Sequence, residues 1–166
     1  TRCSPPPSAA AHLELGSLLL RAGDLELAVK HLEDATRLST EPADAYAELA
    51  RARRARGETH EAILAFRQRL RAKPNDADAH FALAETFVFA QRDPEALESQ
   101  EAGMRLDPTR KGAARTLGEI LARLGRHDDA IPPLERGLAE EPSDAALLAL
   151  LATCCERAGG VGREID

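Results

Sequence analysis

The side chains best suited to chemistry are five histidines and three cysteines, and their spacing decides against most of what they could do. His12, His31, His60, His80 and His127 never stand at i, i+4 to another histidine or to a cysteine. Helical metal sites need that spacing to bring two donors onto one face, so no metal site is predicted. Cys3, Cys154 and Cys155 are odd in number and contain no spaced pair, which excludes a disulfide framework. Bridging the adjacent Cys154 and Cys155 would close only a strained ring, and they are expected to pack as small apolar residues in a helix. His127-Asp128-Asp129 is rich in titratable groups, yet acidic residues gather at helix N-termini for electrostatic reasons alone. The chain has no glycine-rich phosphate loop, nucleophile elbow or CxxC motif. No catalytic constellation and no cofactor are expected, so the protein is not read as an enzyme.

Charge narrows the partners. The formal net charge is −6, but residues 43–76 hold eight Arg or Lys against five Asp or Glu. Arg51, Arg53, Arg54, Arg56, Arg67, Arg69, Arg71 and Lys73 could in principle track phosphates. Aromatics do not interleave with them, and Glu48, Glu58 and Glu61 lie close by, so a solvated face with ion pairs inside each helix is expected. A net acidic chain also speaks against a nucleic-acid partner. No run of 18 apolar residues occurs, so insertion into a membrane is not expected. The cytoplasm is the default location, with association to the cell envelope left open. The Ala-rich, Arg-over-Lys composition points to a GC-rich, bacterial genome, and the absence of an initiating Met points to a processed or excised chain.

The elements that must position these residues repeat every 34 positions. Gly23, Gly57, Gly125 and Gly159 share one phase, with Gln91 in the remaining slot. Ala28, Ala62, Ala96 and Ala130 share a second, Pro74, Pro108 and Pro142 a third, and Leu15, Leu49, Leu83, Leu117 and Leu151 a fourth. Each unit reads as two amphipathic helices joined at the glycine position, which suits the left-handed residue after a helix. The units are 9–42, 43–76, 77–110 and 111–144, followed by a terminal helix 145–158. A proline-rich lead-in, 1–8, and a glycine-rich tail, 159–166, are expected to have little order.

Within this plan several details are predicted. Thr59 is placed to cap the second helix of its unit, and Asp93-Pro94 forms a strong helix start. Gln100 stands where sister helices carry Leu32, Phe66 and Leu134, which predicts looser or water-bridged packing. Pro132 and Pro133 remove two backbone donors about one turn into a helix, predicting a late start or a bend. The terminal helix, with Leu147, Leu148, Leu150 and Leu151, is oily for a solubilising cap.

The period, the Leu-Gly pairs 15–16 and 117–118, their Leu-Ala variants at 49–50, 83–84 and 151–152, the alanines and the closing prolines together resemble the tetratricopeptide repeat. The resemblance spans residues 9–158. Of the family's large aromatic near the start of each unit only Tyr46 is kept; His12, His80, Ala114 and Leu148 replace it. The resemblance implies an all-α, right-handed superhelical solenoid of four helix-turn-helix repeats plus one extra helix, whose first helices line a concave groove. It places Leu13, Ser17, Leu20 and Arg21 in that groove, then Asp44, Ala47, Arg51 and Arg54. Phe81, Glu85, Val88 and Phe89 follow from the third unit, Arg115, Glu119 and Arg123 from the fourth, and Thr153 and Arg157 from the last helix.

By that placement Arg51, Arg54, Arg115 and Arg123 would flank an apolar floor of Phe81, Val88 and Phe89. Arginines fork onto carboxylates, so the set would suit a peptide with both acidic and apolar side chains. The competing reading packs the floor residues between helices and leaves the arginines solvated. Some family members clamp an acidic C-terminal peptide through Lys and Asn at set positions. Here those positions hold Leu13, Ser17, Glu48, Asp78 and Ala82, or Ala47, Arg51, Ala82, Gly112 and Thr116 one unit later, so clamping of that kind is not expected. The expected function is a non-catalytic scaffold for a protein or peptide partner. Two alternatives stand beside it: an adaptor domain excised from a larger protein such as an enzyme, and a module that self-associates as a homodimer through the terminal helix edge.

Overall fold

The computed structural model describes residues 8–161, and within them it has nine α-helices and no strand. These are α1 (Ala9–Ala22), α2 (Leu25–Leu38), α3 (Ala43–Ala55), α4 (Thr59–Ala72), α5 (Ala77–Phe89), α6 (Asp93–Leu106), α7 (Ala113–Arg123), α8 (His127–Glu140) and α9 (Ala145–Val161). The expectation for residues 1–7 and for 162–166 falls outside the described residues. α9 itself continues through Gly159 and Gly160 to Val161, beyond the point where fraying was expected. The helices form two compact units, the first ending at Thr86 and the second beginning at Phe87, inside α5.

In the first unit, α1 packs on α2, α2 on α3, and α3 on α4. Ser8 caps α1 by accepting from the Ala11 N–H, and Asp24 caps α2 by accepting from the Leu27 N–H. Between them Gly23 takes φ +85°, its N–H donating to the Leu20 carbonyl and that of Asp24 to the Leu19 carbonyl. That pair of bonds closes a helix only with a left-handed residue at its end. The core is mostly small and aliphatic around one large aromatic, with Ala28, Leu32, Ala50, Ala62 and Phe66 nearly or wholly inaccessible. Gly16 lets the two helices approach closely: a Cβ there would lie 2.6 Å from Leu32 Cγ. Thr59 does not cap α4. It is the first helical residue, and its hydroxyl donates to the Gly57 carbonyl at 3.4 Å.

In the second unit, α6 packs on α7, α7 on α8, and α8 on α9. Gln91 fills the missing glycine slot with φ +56°, and the bonds Gln91 N to Val88 O and Arg92 N to Phe87 O repeat the closure seen at Gly23. Gln100 corrects an expectation. It is 2% exposed, and its Nε2 donates directly to the Ala113 carbonyl at 2.8 Å, so the site is neither loose nor dependent on water. Pro132 and Pro133 do not delay α8, which begins at His127. The carbonyls they leave without a helical donor belong to Asp128 and Asp129, both exposed residues, where solvent is at hand to bond them. Leu121, Ala130, Leu134, Leu147 and Cys154 form the core of this unit, with Leu150 and Leu151 packed against it.

Candidate binding site

A cavity of about 490 Å³ opens in the second unit. α7 lines it with Thr116, Glu119, Ile120 and Arg123, residues at i, i+3, i+4 and i+7 and therefore on one helical face. α9 contributes Leu147, Leu150, Thr153, Cys154 and Arg157 at the same kind of spacing, Val88 comes from the end of α5, and His127 from the start of α8. The lining is predominantly apolar, with a few polar groups at intervals, the composition typical of sites for small or peptidic ligands. The geometry of α7 depends on Gly118, whose absent side chain leaves room for Leu134 of α8. α9 is held by Asp144, which caps it by accepting from the Leu147 N–H at 3.0 Å.

The charges around the cavity are partly committed. Arg123 Nη2 lies 2.9 Å from Asp93 Oδ1, an ion pair by distance whose alignment falls short of a hydrogen bond, and 3.4 Å from the Val88 carbonyl. Glu119 accepts from Arg115 Nε at 2.8 Å. Arg157 is exposed and makes no ion pair with any described residue. His127 Nδ1 is buried without a hydrogen-bond partner among the described residues. Burial, and then the neighbouring Cys155, push the Cys154 thiol upward, with Arg157 opposing them. A thiol held protonated in an apolar wall is packing, not a nucleophile.

The candidate groove residues separate into three groups. Val88, Glu119 and Arg123 line the cavity, as do Thr153 and Arg157. Arg115 does not. Its Nη1 pairs with Asp144, and it lines a separate cavity of about 300 Å³ with Lys111, Glu140 and Glu141. Its hydrogen bond to Glu119, reinforced by the charges of Glu119 and Asp144, holds its pKa above the usual guanidinium value. The remaining candidates belong to the first unit, apart from Phe89 in the second. Leu13 and Leu20 are half-buried, and Arg21 is exposed. Arg51 pairs with Glu48 one turn away, and Arg54 donates to Glu85 at 2.8 Å. Phe81 is only 6% exposed, so it packs inside the protein and does not serve as an open floor, whereas Phe89 is 71% exposed.

The basic stretch of the first unit is also organised differently from expectation. Arg51 and Glu48 do pair within one helix, but the other pairs mostly bridge helices: Arg53 to Glu33, Arg54 to Glu85, and Arg69 to both Asp44 and Asp76. A partner on the next helix is close in space and distant in sequence, so intrahelical spacing could not reveal it. Ile120, Leu147, Leu150 and Cys154 of the cavity were not among the groove candidates; the apolar run of α9 was the one signal for the last three, and Thr116 entered only as a clamp position.

With this geometry in view, the comparisons with known proteins are decisive for family. A sequence profile described as Tetratricopeptide repeat matches residues 43–86 and 111–154, and a second of the same description matches 4–48. The chain belongs to the tetratricopeptide repeat family. Its all-α repeat architecture is matched by solved tetratricopeptide proteins. MamA is 16% identical at a TM-score of 0.84, covering 91% of this chain and 82% of its own. YrrB, a TPR protein with an unusual peptide-binding site, is 22% identical at a TM-score of 0.83, covering 95% of this chain and 80% of its own. The Cut9–Hcn1 hetero-tetramer of the APC/C is 19% identical at 0.73, covering 89% of this chain and 30% of its own. At such identities the likeness concerns the fold alone. A search of curated proteins finds no significant match. Among the described residues of this tetratricopeptide protein, no helix is long and apolar enough to cross a membrane.

Proposed function

We propose that this tetratricopeptide protein is a non-catalytic scaffold that receives a peptide segment of a partner protein in the cavity between α7 and α9. The observation that carries the reading is the cavity itself: about 490 Å³, largely apolar, with Arg157 exposed at its lining and unpaired among the described residues. An apolar side chain of the peptide fills the space against Ile120, Leu147 and Leu150. A carboxylate next to it takes Arg157, whose fork is free to form two parallel hydrogen bonds. The peptide-binding site of the similarly folded YrrB supports a peptide as the ligand class. The test is selection of binders from a random peptide library. Enriched sequences should pair an acidic residue with an apolar one. Thr153→Trp, which fills the cavity from an exposed helix position, and Arg157→Glu should each weaken the selected peptide at least about tenfold, roughly 1.4 kcal/mol. Equal affinity for wild type and both variants would move the function out of this cavity.

A second reading, self-association through α9, rests on a register comparison. Ala114, Gly118 and Leu121 of α7 are buried, and so are His12 and Gly16 in the first two of these positions on α1. Their equivalents on α9, Leu148, Ala152 and Cys155, are exposed, Leu148 by 49%. On this reading a second copy covers that face.

A further inference from the structure

His12 of α1 and His31 and Asp34 of α2 converge where sequence spacing predicted no metal ligands. His12 Nδ1 lies 2.9 Å from His31 Nδ1, and Asp34 Oδ2 lies 3.9 Å from His12 Nδ1. One ligand atom from each of the three falls within 4.8 Å of the others. From this convergence we infer that the three side chains form a binding site for a divalent transition-metal ion, best suited to Zn²⁺, that ties α1 to α2.

The ligand geometry is close to what the ion needs. Two nitrogens bound to one tetrahedral zinc at about 2.0–2.1 Å sit roughly 3.3 Å apart, a few tenths beyond the present separation. Without an ion the contact requires opposite tautomers, one Nδ1–H donating to the other ring's bare Nδ1. With the ion both Nδ1 atoms become ligands: the ring that carried its proton on Nδ1 gives it up and takes one on Nε2 by exchange with water, so both rings end as Nε2–H tautomers. Asp34 is oriented by its other oxygen, Oδ1, which accepts from Arg37 at 2.5 Å, and this leaves Oδ2 toward the histidines. His12 is buried while His31 and Asp34 are half-buried, so water can reach a fourth position. Two imidazoles and one carboxylate favour zinc, copper or nickel over calcium or magnesium, which take oxygen ligands. The surroundings suit a cation, because residues 9–42 carry three basic against six acidic side chains. This site is independent of the peptide cavity.

The test uses the full chain with ¹⁵N-labelled histidine and added Zn²⁺. In the metal-free protein, long-range ¹H–¹⁵N spectra should show His12 and His31 in different tautomers. On addition of one equivalent of Zn²⁺, the Nδ1 signals of both should move together to the metal-bound position, and the melting temperature should rise. His31→Gln and Asp34→Asn, both at half-buried positions, should fold and should weaken Zn²⁺ at least about tenfold. Because thiolates also bind zinc, a Cys3→Ser/Cys155→Ser chain serves as control and should bind as wild type does. Nδ1 signals unmoved by Zn²⁺, or affinity retained in His31→Gln and lost in the cysteine control, would overturn the assignment.

Discussion

Single residues in this protein matter mostly through how closely they let helices approach. Gly118 is the clearest case, because a Cβ there would sit 2.6 Å from both Cγ and Cδ2 of Leu134 and 3.2 Å from its backbone nitrogen. Leu134 is wholly buried, and its backbone nitrogen is part of the contact, so a rotamer change alone does not relieve it. Overpacking of this kind costs about 1–3 kcal/mol, while replacing a helical glycine by alanine recovers up to about 1 kcal/mol of helix propensity. Gly118→Ala should therefore destabilise the protein by about 1–2 kcal/mol in denaturant unfolding, and an unchanged midpoint would mean that α7 and α8 can separate freely. The glycine was visible in the sequence as half of a Leu-Gly pair. Its partner was not, since Leu134 lies on another helix and only packing brings the two together.

At the scale of the element, electrostatics join helices that hydrophobic patterning defines. Arg69 of α4 reaches Asp44 at the start of α3 and, at 2.6 Å through Nε, Asp76 at the entry to α5. Asp76 also caps α5 by accepting from the Ala79 N–H. For Asp44, hydrogen bonds from Arg69 and Lys73 hold the carboxyl below its usual pKa. For Asp76, burial pushes upward, but the bonds from Ala79 and Arg69 outweigh it and the net direction is also down. A carboxyl depressed in the folded state adds stability that is complete above its unfolded pKa of about 4 and disappears as pH falls through the folded value. Wild type should lose melting temperature steeply below about pH 4. Arg69→Met should start lower at neutral pH and fall less steeply in acid, because the partner that depresses both carboxyls is gone. Parallel curves would show that these bonds do not couple to folding. The helix boundaries themselves were legible from glycine, proline and apolar spacing. The ion pairs were not, because they cross between helices 25 and 7 residues apart in sequence.

For the whole molecule, the open question is which surface meets another chain. If α9 self-associates, light scattering should give a mass that rises with concentration, and Leu148→Glu should return it to the monomer. A monomeric mass at all concentrations would leave the face of α9 without that role. Leu148 is the appropriate probe, since Leu150 and Leu151 pack against the core and their replacement would disturb folding. The peptide cavity is a separate surface on the same helix, lined by Leu150, Thr153 and Arg157, so the two functions can be tested apart.

The 34-residue period determined the family, the helical class and the turns at Gly23, Gly57, Gln91 and Gly125, because each depends on local conformation and on which face of a helix is apolar; at Gly159 it did not, since α9 runs on through that position. Even the Gln91 slot was legible, since the fold imposes a left-handed residue there whatever the side chain. Only tertiary structure decided which of the candidate arginines remain near an apolar cavity. Arg123 and Arg157 line it, while Arg115 turns to Asp144 and Arg51 to Glu48. Tertiary structure alone also set His12 against His31, across two helices and 19 residues of sequence. A repeat specifies its own fold through short-range rules, but a binding site is made of side chains that different helices bring into contact, and periodicity does not record those meetings.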